Sequence, residues 1–457
     1  MNKTVDDAES APVSADAGDA GSSVESSMDL FAEGPLGDLD TATLRRLCER
    51  GPKEDSDVSA TVRQVIADVR DRADAALVAM ASRFDGVELA EIEVPRDRWD
   101  AAVRALPAGV RQALSHAASN LRSFHTAQIP GDIVFDVESG VRITRVVTPL
   151  GAVGVYAPGG TAAYPSSVLM GVVPARVAGV AEIVVCSPPG PDGTPPKEVL
   201  AACAIAGADR LFAVGGAGAI AALAFGTETV PPVDAIVGPG NRWVNEAKQQ
   251  VAGRVVIDCP AGPSEVLVLA DDSANATWAA HELLAQAEHD PDAACVLVTT
   301  SERIACESRE ILGRLLAETP RAVVARAALA SAGAILLAKS DTEAFDFAQR
   351  YAPEHLSIMT ASGAGDARRV RAAGTTFVGD YASVAFGDYL TGANHVLPTS
   401  GRSRSFSGLS VQHFLRSYTI QEVTQEGAAA MAADVATLAM AEGLPAHAAA
   451  VLARSLP

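Results

Sequence analysis

The chain has 457 residues, 48 % hydrophobic and 20 % charged, so it is long enough for more than one core and too apolar to be disordered as a whole. Its formal net charge of −20 excludes a general affinity for nucleic acid. Ten acidic residues against a single lysine in positions 1–40 put about half of that charge in a tail.

Residues 1–35 are rich in Ala, Ser, Asp and Gly without an apolar period, which predicts a disordered acidic extension. From Thr61 to Phe84 the positions Val62, Val65, Ile66, Val69, Ala73, Leu77, Met80 and Phe84 keep helical spacing, and Gly86 follows as a stop. One amphipathic helix is expected there. A second helical stretch runs to about Thr126, followed by strands at 133–137 and 141–147 joined by a turn at Ser139-Gly140. Residues 146–175 carry no charge, but Pro149, Pro158, Pro165 and Pro174 interrupt them, so they are not a membrane span.

Short apolar runs then alternate with helix-length segments. Those at 153–157, 182–186, 211–214 and 234–237 form one series, and those at 265–270, 294–299, 334–338, 356–359 and 375–378 form another. This pattern predicts two doubly wound α/β units with parallel sheets, and places ligands beyond the carboxyl ends of the strands. Past Leu397 the alternation stops, and the remainder reads as a loop and helices. Six scattered cysteines without C-x-x-C spacing, and the lack of a basic region followed by an apolar one at the start, point to a reducing cytoplasm.

Several constellations bear on chemistry. Gly216, Gly218 and Ala221 make a G-x-G-x-x-A pattern between a strand and a helix, which suits either a pyrophosphate loop or close helix packing; no acidic residue follows at the distance a dinucleotide fold requires, and packing is the preferred reading. Gln286 and His289, three apart in a helical stretch, share a face and suit either a shared metal or a helix-end cap. Glu354-His355 enters a strand after Pro353, a position suited to an acid/base pair or to two solvated groups. Cys259 lies in an apolar run with no base nearby in sequence, and reads as a buried thiol rather than a nucleophile.

Eight ordered segments resemble the histidinol dehydrogenase family: 153–161 (VGVYAPGGT), 163–171 (AYPSSVLMG), 237–242 (VGPGNR), 261–271 (AGPSEVLVLAD), 284–291 (LAQAEHDP), 351–357 (YAPEHLS), 387–399 (GDYLTGANHVLPT) and 441–449 (AEGLPAHAA). The resemblance implies an NAD-dependent, zinc-requiring homodimer that oxidises L-histidinol through L-histidinal to L-histidine. It implies zinc ligands at Gln286, His289, Asp388 and His447, the last from the partner subunit, and substrate contacts at those four residues and at Ser264, His355, His395 and Glu442. His355 would be the general base, and Glu354 would activate water. NAD contacts are implied at Tyr156, at Asn241 and at position 218, where the family pattern GGAQAIAALA has glutamine and this chain has Gly218. Gly171 likewise replaces a common asparagine.

The implied architecture is two incomplete Rossmann-like domains with an N-terminal helical arm and a swapped C-terminal tail. We divide the chain into the extension 1–35, an arm 36–60, a first domain 61–150 with 265–397, a second, NAD-side domain 151–264 and an exchanged tail 398–457. Neither membrane nor nucleic-acid partners are expected. Two competing readings are a related zinc/NAD alcohol dehydrogenase, such as one acting on sulfopropanediol, and a two-lobed solute-binding protein.

Overall fold

The computed structural model describes residues 28–50, 56–159, 163–260 and 262–454. Every apolar run of the two predicted series becomes a strand, and the two series form separate sheets. The first has the order Ala32–Pro35, Gly333–Leu337, Ala294–Thr299, Glu265–Ala270, His355–Met359, Thr375–Val378, all parallel. The second has the order Arg210–Ala213, Glu182–Ser187, Ala152–Tyr156, Ala235–Val237, Val256–Ile257, also all parallel. In each, the first strand of the series is central. Two strands follow outward on one side, then the chain returns to the other side, which is the doubly wound arrangement. Helices cover both faces, so the central strands are apolar throughout rather than alternating.

The start of the chain departs from expectation. Residues 1–27 of the acidic extension lie outside the described residues, but its last part is not a tail. Met28 and Ala32 are buried, and Ala32–Pro35 pairs with Gly333–Leu337 as the edge of the first sheet. Leu36 and Leu47 continue into the same core. The predicted helix over 61–84 starts earlier, at Ser56, and breaks after Arg72. Ala73 takes φ +48°, a new helix runs Asp74–Met80, and the helical stretch ends after Ala81–Asp85 at Gly86 with φ +69°. The break lets the Asp74 N–H meet Glu228 Oε2 at 3.0 Å, so the new helix is anchored to the loop Gly226–Val230.

The assignment of 61–150 to the first domain is corrected by packing. Val58, Val62, Ile66, Val69 and Leu77 share a core with Ile220, Leu223 and Val244 of the second sheet's helices. Trp99, Leu114 and Leu121 pack on the opposite face of that sheet with Leu169 and Val199. The stripes that predicted these helices therefore bury against the second sheet, and the arm passes from one sheet to the other near residue 50.

Strands Ile133–Glu138 and Val141–Pro149 form as expected, turning at Gly140. A third strand, Leu415–Val423, pairs antiparallel with Val141–Pro149, where only loop and helices were expected. This ribbon and the helices Gln425–Ala441 and Pro445–Leu452 leave Phe135, Val137, Ile420, Leu438, Met440 and Leu444 exposed. Among the described residues no helix is long and apolar enough to cross a membrane.

Candidate active site

Helix Asp341–Tyr351 ends at Ala352 with φ +51°, and Pro353 forces an extended approach to the strand His355–Met359. Glu354 and His355 thus enter the sheet beside Glu265, the first residue of the central strand. Both attach to that residue's main chain. Glu354 Oε2 accepts from the Glu265 N–H at 2.7 Å, and His355 Nδ1 donates to the Glu265 carbonyl at 2.9 Å. A carbonyl can only accept, so the proton of a neutral imidazole sits on Nδ1 and Nε2 presents its lone pair. Nε2 is buried without a hydrogen-bond partner and lies 3.6 Å from Asp388 Oδ1.

Burial raises the pKa of the Glu354 carboxyl above the usual carboxylate range. For His355, burial pulls downward, but the carboxylates of Glu354 and Asp388 outweigh it and raise the ring's affinity for a proton. The pair is therefore equipped to hold and pass a proton.

Asp388 lies in the short helix Val384–Tyr389, which is fastened to helix Ala276–Ala287 by Glu282 accepting from the Val384 N–H at 3.1 Å. His395 Nδ1 donates to the Asp388 carbonyl at 2.8 Å. On the same helix as Glu282, and four residues on, the buried Gln286 has an amide nitrogen without a partner. His289, at the exposed rim, is close enough for the charges of Asp388 and His355 to act on it. Ser264 sits half-exposed directly before Glu265. An apolar cleft of about 320 Å³ lined by Asn120, Phe377, Tyr381 and Phe386 adjoins the cluster, the Phe377 ring centroid lying 6.2 Å from that of His355. Five predicted residues thus come together, His289, Glu354, His355, Asp388 and His395, with Ser264 next to Glu265 in the chain and Gln286 one helical turn before His289. Glu442 and His447 do not join them, being exposed on the C-terminal helices. Among the described residues no three His, Cys, Asp or Glu are gathered as a metal site within one chain.

The expectation that ligands lie at carboxyl ends is corrected for this sheet. Ser264, Glu354 and His355 stand at the amino ends of two adjacent parallel strands, Glu265–Ala270 and His355–Met359. In the second sheet Tyr156 is the last residue of its strand, and Gly216 and Asn241 lie in the turns after theirs. The buried Tyr156 hydroxyl accepts from the Gly216 N–H at 3.1 Å, and Asn241 caps helix Arg242–Val251 by accepting from Trp243 and Val244 N–H at 3.0 and 3.2 Å. Gly238 between them has φ +115°, and a Cβ there would fall 2.2 Å from the Tyr156 carbonyl oxygen. Lys248 and Asp258, paired in the interior, hold that glycine from both sides: Lys248 Nζ donates to its carbonyl at 3.0 Å and Asp258 accepts from its N–H at 2.8 Å. Neither residue is marked by a sequence pattern.

Gly218 is buried in helix Gly216–Phe225, and a Cβ there would lie 2.9 Å from Met80 Sδ and 3.5 Å from Leu77 Cδ2. The packing reading of this glycine is supported, and a side chain added at 218 starts toward Met80. Gly218→Gln is therefore expected to cost about 1 kcal/mol, overpacking partly offset by better helix propensity. Adding Met80→Ala should recover most of the loss, with urea unfolding of the double-mutant cycle as the measurement; additive effects would show that the two positions do not meet. Cys259 is buried, and burial pushes its thiol up to about 12, which agrees with a structural thiol.

A two-sheet parallel α/β scaffold with a buried carboxyl–imidazole pair at one sheet and glycine-rich strand-to-helix turns at the other defines an enzyme of proton-coupled chemistry. The sequence profile of histidinol dehydrogenase matches residues 48–455. Histidinol dehydrogenases from Methanothermobacter thermautotrophicus and Methanosarcina mazei are 47 % and 46 % identical, over 90 % and 92 % of this chain and 96 % of each relative. The crystal structure of histidinol dehydrogenase from Elizabethkingia anophelis superposes with a TM-score of 0.88 at 35 % identity, covering 93 % of this chain and 98 % of that one. The chain belongs to the histidinol dehydrogenase family. Neither the sulfopropanediol reading nor the solute-binding reading is favoured by these relatives.

Proposed function

We propose that this chain oxidises L-histidinol through L-histidinal to L-histidine in the cytoplasm, with two NAD and one zinc ion per subunit, as a homodimer with shared sites. The observation that carries the chemistry is the attachment of Glu354 and His355 to the main chain of one residue, Glu265, with His355 Nε2 left unpartnered. His355 takes the proton of the substrate hydroxyl through Nε2 in each oxidation step. Glu354 takes a proton from the water that adds to the aldehyde, which it can do once its own proton has left for His355 or solvent. Ser264 and His395 line the substrate's place. NAD, when bound, accepts hydride, and Tyr156 and Asn241 mark its side of the crevice. Mixing the protein with histidinol and NAD tests this: two NADH per histidinol are expected, and one would leave the aldehyde as the product.

The donor set fits zinc. Gln286 has a buried amide nitrogen without a partner, its oxygen and nitrogen being interchangeable by rotation, and His289, one helical turn on, lies within reach of the charge of Asp388. Two nitrogen and two oxygen ligands result when the partner subunit's His447 is added. A zinc ion held by these residues would supply a Lewis-acid anchor that orients the substrate. A chelator should abolish histidinol binding while lowering the melting temperature by only a few degrees, because the ligands sit on folded elements. Turnover by protein free of zinc and of other divalent ions would overturn the assignment.

The exchange of the tail is supported by the exposed apolar side chains of its helices and of the antiparallel ribbon, which a second copy would cover. In one chain Glu442 and His447 face solvent, as residues serving a neighbour's site would.

A further inference from the structure

We propose that Arg50, in the N-terminal arm, and Glu265 are positioning residues that hold the Glu354–His355 pair in its working geometry. The inference rests on the reading of that pair as the acid/base groups of the reaction.

Glu265 is attached to both groups through its main chain, and its own side chain is clamped from the other direction. Arg50 Nε and Nη2 donate to the two carboxylate oxygens, each at 2.8 Å, and the side chains are 8 % and 3 % exposed. The guanidinium is fixed in turn. Its Nη1 donates to the Leu47 carbonyl at 2.6 Å, its Nη2 also to the Tyr351 carbonyl at 3.0 Å, and it stacks 3.4 Å above the Tyr351 ring. Glu265 Oε1 accepts a further bond from the Ser400 N–H at 2.7 Å. Ser400 has φ +59° and follows the segment that carries Asp388 and His395.

Three distant parts of the chain therefore meet on one carboxylate, and the peptide groups on either side of that residue's Cα orient both acid/base groups. A buried ion pair offers little net stability over packed apolar side chains, whereas a bidentate fork fixes direction. Residue 265 is the first of its strand, where fewer ladder bonds hold the main chain, so its side-chain anchor sets the direction of its N–H and carbonyl. Tilting the Glu265 peptides would swing Glu354 and His355 together relative to a bound substrate. Reaction geometry is sensitive to shifts on the order of 1 Å, at a cost of about 100-fold in rate.

The test compares Arg50→Lys, which keeps the charge but loses the fork, with Arg50→Met/Glu265→Gln, which leaves no lone buried charge. The quantities are kcat for each half-reaction, equilibrium binding of histidinol and of NAD, and the melting temperature. We expect kcat of both halves to fall about 10-fold in Arg50→Lys and about 100-fold in the double variant, with either ligand's affinity changed less than about 3-fold. Should the double variant not fold, Arg50→Lys decides alone. A kcat within twofold of wild type in a folded variant, or equal losses in kcat and in both affinities, overturns the proposal. An active His355→Asn enzyme would instead remove the reading on which it rests; an inactive one beside Arg50 variants of wild-type kcat removes this proposal alone.

Discussion

His355→Asn is expected to lower kcat by about 10²–10⁴-fold in both oxidation steps, whereas Glu354→Gln should spare histidinol oxidation relative to histidinal oxidation. The first expectation follows from Nε2, the lone buried acceptor that His355 turns toward Asp388 while Nδ1 is committed to the Glu265 carbonyl. Asparagine can keep one hydrogen bond but cannot take a proton. The second follows because glutamine can preserve the bond from the Glu265 N–H through its amide oxygen, so the geometry of the pair survives and only proton transfer at position 354 is lost. Water must be activated in the aldehyde half alone. Supplying histidinal directly separates the halves, and equal impairment of both by Glu354→Gln would show that the carboxyl also serves the alcohol step.

Inner strands such as Glu265–Ala270 and Ala294–Thr299 were legible because they are buried along their whole length and so read as apolar runs, and the order of the two series in the chain already separated the sheets. Ala32–Pro35 was not, since a four-residue edge strand containing Gly34 and Pro35 has no pattern to distinguish it from the tail before it. The strand Leu415–Val423 was missed because, exposed like Ile133–Glu138, it lacks the alternation of a half-buried strand, and unlike Ile133–Glu138 it has no short turn joining it to its partner Val141–Pro149, which is far away in the chain. Helical spacing reveals that Val62, Ile66 and Val69 share a face but not which sheet that face meets, since both sheets offer apolar helical layers. At the site, Gln286, His289, Glu354 and His355 stood out by local spacing and by family motifs. Glu265, Glu282 and Arg50 make contacts to residues distant in the chain, and such contacts leave no local signature.

Pairing a chain that carries His355→Asn with one that carries His447→Ala should restore activity that neither has alone. Each homodimer is expected to lose on the order of 100-fold or more, one through the base and the other through a zinc ligand. If the tail serves the neighbouring subunit, a mixed dimer has one site with both lesions and one with none. The sound site joins the body of the His447→Ala chain, with its intact His355, to the tail of the His355→Asn chain, with its intact His447. Random reassortment of equal amounts makes about half of all dimers mixed, and half of their sites sound, so roughly a quarter of wild-type activity should return. The exposure of Glu442 and His447, apart from the cluster around Asp388, is what makes this arrangement the expected one. The two variants are coexpressed with different tags, the doubly tagged dimers are purified, and NAD reduction is measured per site, half of wild type being expected in this pure fraction. Activity no greater than the mean of the two homodimers, in material shown to be mixed, would place His447 in the site of its own chain.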